Sequence, residues 1–308
     1  MKKVTKQKPK IIVIVGTTSS GKSDLAVQIA KKFDGEIISA DSRQVYRDLD
    51  IGTGKITVSE MKGIPHYMLD VASPRRAFTA AQFKKKGEKV LKDIIKRGKT
   101  PIIAGGTGFY IDALLGGSAL PEVPPNPKLR TQLEKKSAPE LYTELKKLDP
   151  RRAEDIDQHN PRRLVRAIEI ATTLGSVPEI PHLDAGRPNE YNTLWIGLEL
   201  DKDTLIEKID KRNEKMFELG LVEEVKKLRA QNITWKRIDA LGFEYKYIAE
   251  FIRGKMSKEE ALEKMNTETW HYAKRQINWF RKNKNINWFG PKDKKGVEKS
   301  VGEFVKQK

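Results

Sequence analysis

The feature that most constrains this chain is an apolar run, Ile11 to Val15, leading directly into Gly16-Thr17-Thr18-Ser19-Ser20-Gly21-Lys22-Ser23. The octet matches G-x-x-x-x-G-K-[ST]. It lies between a strand-like segment and a helix-like one with Leu25, Ile29 and Phe33 spaced four apart. The glycines let backbone N–H groups curl around a phosphate, and the helix start adds partial positive charge. Lys22 supplies a full charge, and the Ser23 hydroxyl is a ligand for Mg²⁺. The loop therefore reads as a di- or triphosphate site and leaves open which of the two it holds.

The surrounding pattern fixes the fold class. Short apolar segments at Glu36 to Ser39, His66 to Val71 and Pro101 to Ala104 alternate with helical periodicity, as over residues 79–97, where Phe83, Val90, Leu91, Ile94 and Ile95 share a face. Such alternation implies a parallel, doubly wound sheet. Pro121, Pro124, Pro125 and Pro127 mark one boundary and Pro178, Pro181 and Pro188 a second, with only short helices between. Alternating Leu194, Ile196, Leu198 and Leu200 bring the chain back to the sheet over residues 193–200, and the rest reads as mostly helical. The expected class is α/β: a P-loop doubly wound parallel sheet with a small inserted helical domain. The expected divisions are 1–120, 121–190 and 191–308.

The formal charge of +18 favours an anionic partner, nucleic acid being the commonest. A solvated lysine-rich surface is the alternative. Residues 271–308 carry eleven Lys/Arg against three acids, interleaved with Trp279, Phe280, Trp288 and Phe289. Aromatics among charges stack unpaired bases or face a core, and the core fits Trp279 and Phe280 better. The absence of cysteine excludes disulfides and fits a cytoplasmic protein. The basic start followed by Ile11 to Val15 imitates a signal peptide, but that apolar run is too short, and no segment reaches membrane-spanning length.

Several residues carry candidate chemistry. Asp41 follows the second strand, whose carboxyl end should line the ligand crevice. A carboxylate beside a phosphate site binds metal, takes a proton, or caps a helix. Thr107, in the turn Gly105-Gly106-Thr107-Gly108, is a second anion donor or another cap. A nucleoside triphosphatase usually adds a metal-binding acid at a strand end; only His66 to Asp70 offers one. Leu205, Ile209, Arg212 and Met216 fall on one helical stripe, so Arg212 should point inward and require an anion, either a carboxylate or the bound phosphate. Arg162, Arg163 and Arg166 form a basic strip beside Leu164 and Ile168, suited to backbone phosphates or to solvent.

Taken in order, GTTSSGKS at 16–23, ISADSRQVYRDLDIGTGK at 38–55, GIPHYMLD at 63–70, GGTGFYIDALL at 105–115, NPRRLVRAIEI at 160–170 and AKRQINWFR at 273–281 resemble the bacterial tRNA dimethylallyltransferase family. Enzymes that prenylate free adenine nucleotides share the phosphate loop but look less like this chain at 41–46 and 105–110. The resemblance implies transfer of a dimethylallyl group from its diphosphate to N6 of an adenosine next to the anticodon (position 37). The expected partner is the anticodon stem-loop of a tRNA with an adenine-rich loop.

It also implies roles. Asp41 matches the general base and Thr107 a residue at the reacting centre. Residues Gly16 to Ser23 and Arg212 would hold the diphosphate, with Mg²⁺ at Ser23. RNA contacts fall on Asp41, Ser42, Arg43, Gln44, Thr107, Arg130, Arg162, Arg163, Leu164, Val165, Arg166, Gly242, Phe243, Arg275 and Gln276. A monomer is expected. A P-loop kinase acting on RNA or a small molecule is the alternative enzyme, and a non-catalytic nucleotide-switched RNA binder the alternative outside enzymes.

Overall fold

Ile11 to Val15, apolar toward both faces, forms the middle of a six-stranded sheet in which every pairing is parallel. The computed structural model describes residues 8–116, 120–178 and 190–307. The first part runs β1 (Lys10–Gly16), α1 (Lys22–Lys32), β2 (Gly35–Ser39), α2 (Val58–Met61), β3 (His66–Tyr67), α3 (Ala80–Lys96), β4 (Thr100–Ala104) and α4 (Gly108–Leu114). Helices α5 (Pro127–Leu133), α6 (Ala138–Leu148), α7 (Pro150–Asp155) and α8 (Pro161–Leu174) follow. The chain then continues through β5 (Asn192–Leu198), α9 (Lys202–Glu218), α10 (Leu221–Ala230), α11 (Trp235–Asp239), α12 (Phe243–Ile252), α13 (Lys258–Phe280), β6 (Ile286–Phe289) and α14 (Lys294–Lys306).

The strand order is β3-β2-β4-β1-β5-β6. Strands β2, β4 and β1 are therefore neighbours, and the turns leaving their carboxyl ends sit side by side. On one sheet face, Ile12, Ile14, Ile37, Ile102 and Ile196 pack beneath Leu25 and Ile29 of α1 and Val297, Val301 and Phe304 of α14. Strand alternation sends Ile11, Val13, Ile38 and Ile103 to the other face, where they are fully buried.

Three strand expectations change. The third strand holds only His66 and Tyr67, because Met68 and Asp70 adopt left-handed φ values of 67° and 55° and turn the chain away. Strand β5 stops at Leu198 instead of Leu200. Trp288 and Phe289 belong to β6, an edge strand on β5, in a region read as helical. Four residues are too few to show an alternation, so β6 escaped the pattern. Among the described residues, no helix is long and apolar enough to cross a membrane.

The chain divides into two compact units, Met1–Gly116 with Gly186–Lys308, and Gly117–Ala185. The second unit is helical and has its own core of Leu133, Leu141, Leu145, Leu164 and Ile168. At its centre Glu169, 1% exposed, accepts from Arg130 Nε and Nη2 at 2.7 Å each, from Asn126 N at 2.8 Å and from Arg166 Nη1 at 3.1 Å. Burial pushes this carboxyl up, but the guanidinium of Arg130, the Asn126 amide and Arg166 outweigh it and hold the group at about 2.

This arrangement engages two of the expected RNA residues within the protein. Arg130 and Arg166 close on a buried acid, and Arg166 also donates to Val123 O at 2.8 Å. Leu164 and Val165 turn their side chains into the core. Only Arg162 and Arg163 of the strip are exposed.

Candidate active site

The turns after β1, β2 and β4 open onto one cavity of about 530 Å³. The phosphate loop forms its floor. Ser20 Oγ donates to Thr17 O at 2.8 Å, which fixes the curl, and Gly21 takes the left-handed φ of 88° just before α1. The Thr17 and Ser19 hydroxyls are buried and make no hydrogen bond within the protein. Buried hydroxyls normally find a partner, and Ser19 lines the cavity, so its hydroxyl fits an oxygen of an anion in the loop. Lys22 Nζ donates back to Thr17 O. Burial lowers the Lys22 ammonium to about 8, while Asp41 opposes the shift and Arg212 reinforces it. A cation made this uncomfortable gains most from an arriving anion.

Arg212 reaches the loop from α9, as its helical stripe implied. It donates through Nη1 to Thr18 Oγ1 and through Nη2 to Thr53 O at 3.1 Å. Both acceptors are neutral, and no described carboxylate forms an ion pair with it. The internal-carboxylate alternative is thus not what the structure holds.

Asp41 lines the same cavity. Its Oδ1 accepts from Arg43 N at 2.7 Å and Gln44 N at 3.2 Å, so it caps a turn and not a helix. One carboxylate oxygen is thereby fixed, and the other has no protein partner among the described residues. Thr107 sits at the N-cap of α4, where its carbonyl accepts from Tyr110 N at 2.9 Å but its side chain does not cap the helix. Its Oγ1 accepts from Ser42 N at 3.0 Å, and its own N–H donates to Ala40 O at 3.1 Å, tying the β2 and β4 turns together. Asp70, the weak metal-acid candidate, is bonded to Lys55 at 2.6 Å and does not line the cavity.

The remaining expected residues fall into two groups. Gly242, Phe243 and Arg275 line the cavity, with the Phe243 ring 6.3 Å from Tyr272 and Arg275 5.9 Å above it. Arg43 is exposed and donates to Ala240 O at 3.2 Å. Gln44 is a scaffold residue: its Oε1 accepts from Ser39 Oγ and its Nε2 donates to Gly54 O, both at 3.3 Å.

Gln276, expected to touch RNA, lines the cavity and also bonds within the protein. It is only 5% exposed, accepts from Thr18 N at 2.8 Å and donates to Gly106 O at 2.9 Å. Its amide joins the phosphate loop to the β4 turn. A Cβ on Gly106 would lie 2.1 Å from Gln276 Nε2, so the bare backbone there is what admits the clamp.

Two site residues escaped the sequence reading. Glu224 of α10 accepts from the N–H groups of Asp50, Ile51 and Gly52 at 2.9, 2.8 and 3.1 Å and from Tyr245 Oη at 2.7 Å. It thereby holds the segment that places Thr53 and Gly54 at the cavity. Glu244, at the start of α12, is a second acid on the cavity wall. Burial raises it to about 7 against the opposing pull of Arg212 and Arg43. No local signal marks either residue, because both act across long sequence separations.

A family model described as IPP transferase matches residues 44–283. The chain belongs to that family. It is 39% identical to the tRNA dimethylallyltransferase of Anoxybacillus flavithermus over 96% of this chain and 95% of the relative. Among solved structures, the full-length tRNA isopentenylpyrophosphate transferase of Bacillus halodurans is 33% identical with a TM-score of 0.73, covering 97% of each chain. A eukaryotic dimethylallyltransferase acting on tRNA is 28% identical with a TM-score of 0.78, covering 96% of this chain and 77% of that one. Membership in the IPP transferases sets aside the kinase alternative and the non-catalytic switch.

Proposed function

We propose that this IPP transferase moves a dimethylallyl group from dimethylallyl diphosphate to N6 of the adenosine beside the anticodon of a tRNA. The observation that carries this reading is the shared cavity: the anion-ready loop and the free oxygen of Asp41 open onto the same space. Bond breaking between the allylic carbon and oxygen builds negative charge on the departing diphosphate. Lys22, Arg212 and the loop amides meet that charge where it develops. The amine lone pair of adenine is delocalised into the ring, so N6 attacks well only as its proton leaves. Asp41 takes that proton as the new N–C bond forms. Thr107 holds the Asp41–Ser42 turn in register with the β4 turn.

Mg²⁺ fits this site as an ion shared with substrate. The Ser23 hydroxyl lines the cavity, and among the described residues no group of three or more His, Cys, Asp or Glu could cage a metal by itself. Mg²⁺ typically takes few protein oxygens and completes its shell with phosphate and water. Ser23 and the diphosphate oxygens would hold it. When bound it neutralises charge on the leaving group.

The target base must leave its stack to reach Asp41, which costs a few kcal/mol, and backbone contacts offset that cost. Within the helical insertion at 121–190, the exposed Arg162 and Arg163 supply such contacts on the anticodon stem-loop. Arg162→Ala/Arg163→Ala is expected to weaken tRNA binding and reduce the slope of log K against log salt by about one to two. Arg130→Ala and Arg166→Ala should behave differently. Each strips a partner from buried Glu169 and is expected to lower thermal stability by about 1–3 kcal/mol. Filter-binding titrations at several salt concentrations, with thermal melts alongside, separate the two classes. An unchanged slope in the Arg162/Arg163 variant would return that strip to ordinary solvated surface.

The reaction is tested by diphosphate release. Release should require both dimethylallyl diphosphate and tRNA. Release driven instead by ATP, with label passing from its γ-phosphate, would refute the proposal.

A further inference from the structure

The cavity contains two acids of unlike surroundings, and the mechanism above uses only Asp41. Glu244 is half-buried in the first turn of α12 and lines the cavity together with Asp41. Its carboxyl makes no hydrogen bond or ion pair with another side chain among the described residues; its only hydrogen-bond partner is its own backbone N–H. Space for it comes from Gly242, where a Cβ would lie 2.9 Å from Glu244 Oε2. Phe243 and Tyr272, their rings 6.3 Å apart and tilted by 59°, line the same cavity. Aromatic side chains beside a polar group with unfilled hydrogen-bonding capacity are the usual lining of a small-molecule pocket and suit a planar base.

We infer that Glu244 reads the acceptor base, its carboxyl donating to a ring nitrogen beside the amine and accepting the amine hydrogen that Asp41 does not take. The inference rests on the adenine-modifying reading above and adds the group that selects the base. Adenine presents an acceptor nitrogen on either side of its amine. A neutral carboxyl, one donor and one acceptor, matches that edge, whereas a carboxylate offers acceptors only.

The surroundings favour the neutral form. Burial raises Glu244 to about 7. The charged and titratable groups around it are Arg212 on α9, Arg43 and Asp41 after β2, Tyr272 on α13, and Tyr245 beside it on α12, which is bonded to Glu224 of α10. The Glu244 backbone N–H and the two arginines favour the carboxylate, and burial outweighs them. A diphosphate bound to Arg212 offsets one of them, so the loaded site holds the proton more firmly still. Two acids in one site can divide into a base and a proton donor when their hydrogen-bond partners differ. Here Asp41, held by two backbone N–H groups, is the base.

The test uses the whole enzyme, dimethylallyl diphosphate, and tRNA carrying adenosine, 1-deazaadenosine or 7-deazaadenosine at the modified position. The wild type should lose about tenfold in kcat/KM on one deaza analogue, the worth of a paired contact to an adenine edge. Glu244→Ala should lose about tenfold on adenosine and show no further loss on that analogue. Glu244→Gln, whose amide also donates and accepts, should recover most of the alanine variant's loss. The wild type should also lose kcat/KM as pH rises through about 7, a limb that Glu244→Gln should lack. Equal use of all three substrates by the wild type would overturn the inference, as would unchanged analogue sensitivity in Glu244→Ala. The analogue comparison holds even if the alanine variant folds poorly, because it is read on wild-type protein. Failure of the wild type to modify adenosine itself would remove the prenyl-transfer reading and the inference with it.

Discussion

Asp41→Asn is expected to reduce kcat by about a thousandfold while tRNA affinity stays within about threefold, the range general-base catalysis supplies. Asparagine is the informative replacement. Its side-chain oxygen can still accept from Arg43 N and Gln44 N, which Asp41 Oδ1 now does at 2.7 and 3.2 Å. The turn after β2, and with it the Thr107–Ser42 contact, therefore survives. What disappears is the capacity to take a proton. Alanine would confound the two, because loss of the cap loosens the same turn. Single-turnover rates with saturating donor, paired with tRNA binding measured by gel shift, separate chemistry from recognition. Collapse of tRNA binding in the asparagine variant would mean that Asp41 holds RNA and something else removes the proton.

The second large effect lies on the donor side. Lys22→Ala is expected to lower kcat/KM for dimethylallyl diphosphate by about 10²–10³-fold, the usual loss when one preorganised charge facing a transition state is removed. tRNA binding in the absence of donor should hardly change. The ammonium is already depressed to about 8 by burial. The sign of its pH dependence follows. Below pH 8 the free enzyme carries the charge and binds donor well. Above pH 8 the charge is lost, and donor binding must take up a proton. Donor affinity should therefore fall as pH climbs past 8, and the Lys22→Ala variant should lose that dependence. Calorimetry in buffers of different ionisation enthalpy measures the proton uptake directly.

The legible parts of this molecule were those written in local pattern. The phosphate loop announces itself because its glycines, lysine and hydroxyl serve one anion within a few consecutive residues. Asp41 and Thr107 could be placed near it because parallel strands end together, and β2, β4 and β1 are indeed adjacent. Arg212 could be aimed inward by its helical stripe, although only the structure shows neutral oxygens around it instead of a carboxylate.

What was not legible depends on pairing across the chain. Arg130 and Arg166 read as RNA contacts in sequence, and nothing local says that both also pair with Glu169 in the core of the insertion. Gln276 reads as one polar residue among cations until the fold brings it between Thr18 and Gly106. The aromatic residues divide as core and surface do: Phe280 is 2% exposed and Trp279 39%, its indole N–H bonded to Asp112 at 3.2 Å. Helical periodicity cannot split two adjacent aromatics in this way when both neighbour the apolar stripe.

The account stands on one claim, that the group leaving the loop at Gly16 to Ser23 is a diphosphate whose allyl partner ends on an adenine. Incubating the enzyme with Mg²⁺, radiolabelled dimethylallyl diphosphate and unmodified tRNA, then digesting the RNA to nucleosides, tests it directly. The label should co-migrate with N6-dimethylallyladenosine and disappear with Asp41→Asn. Label that stays with the donor, or that appears on any nucleoside other than adenosine, would contradict it.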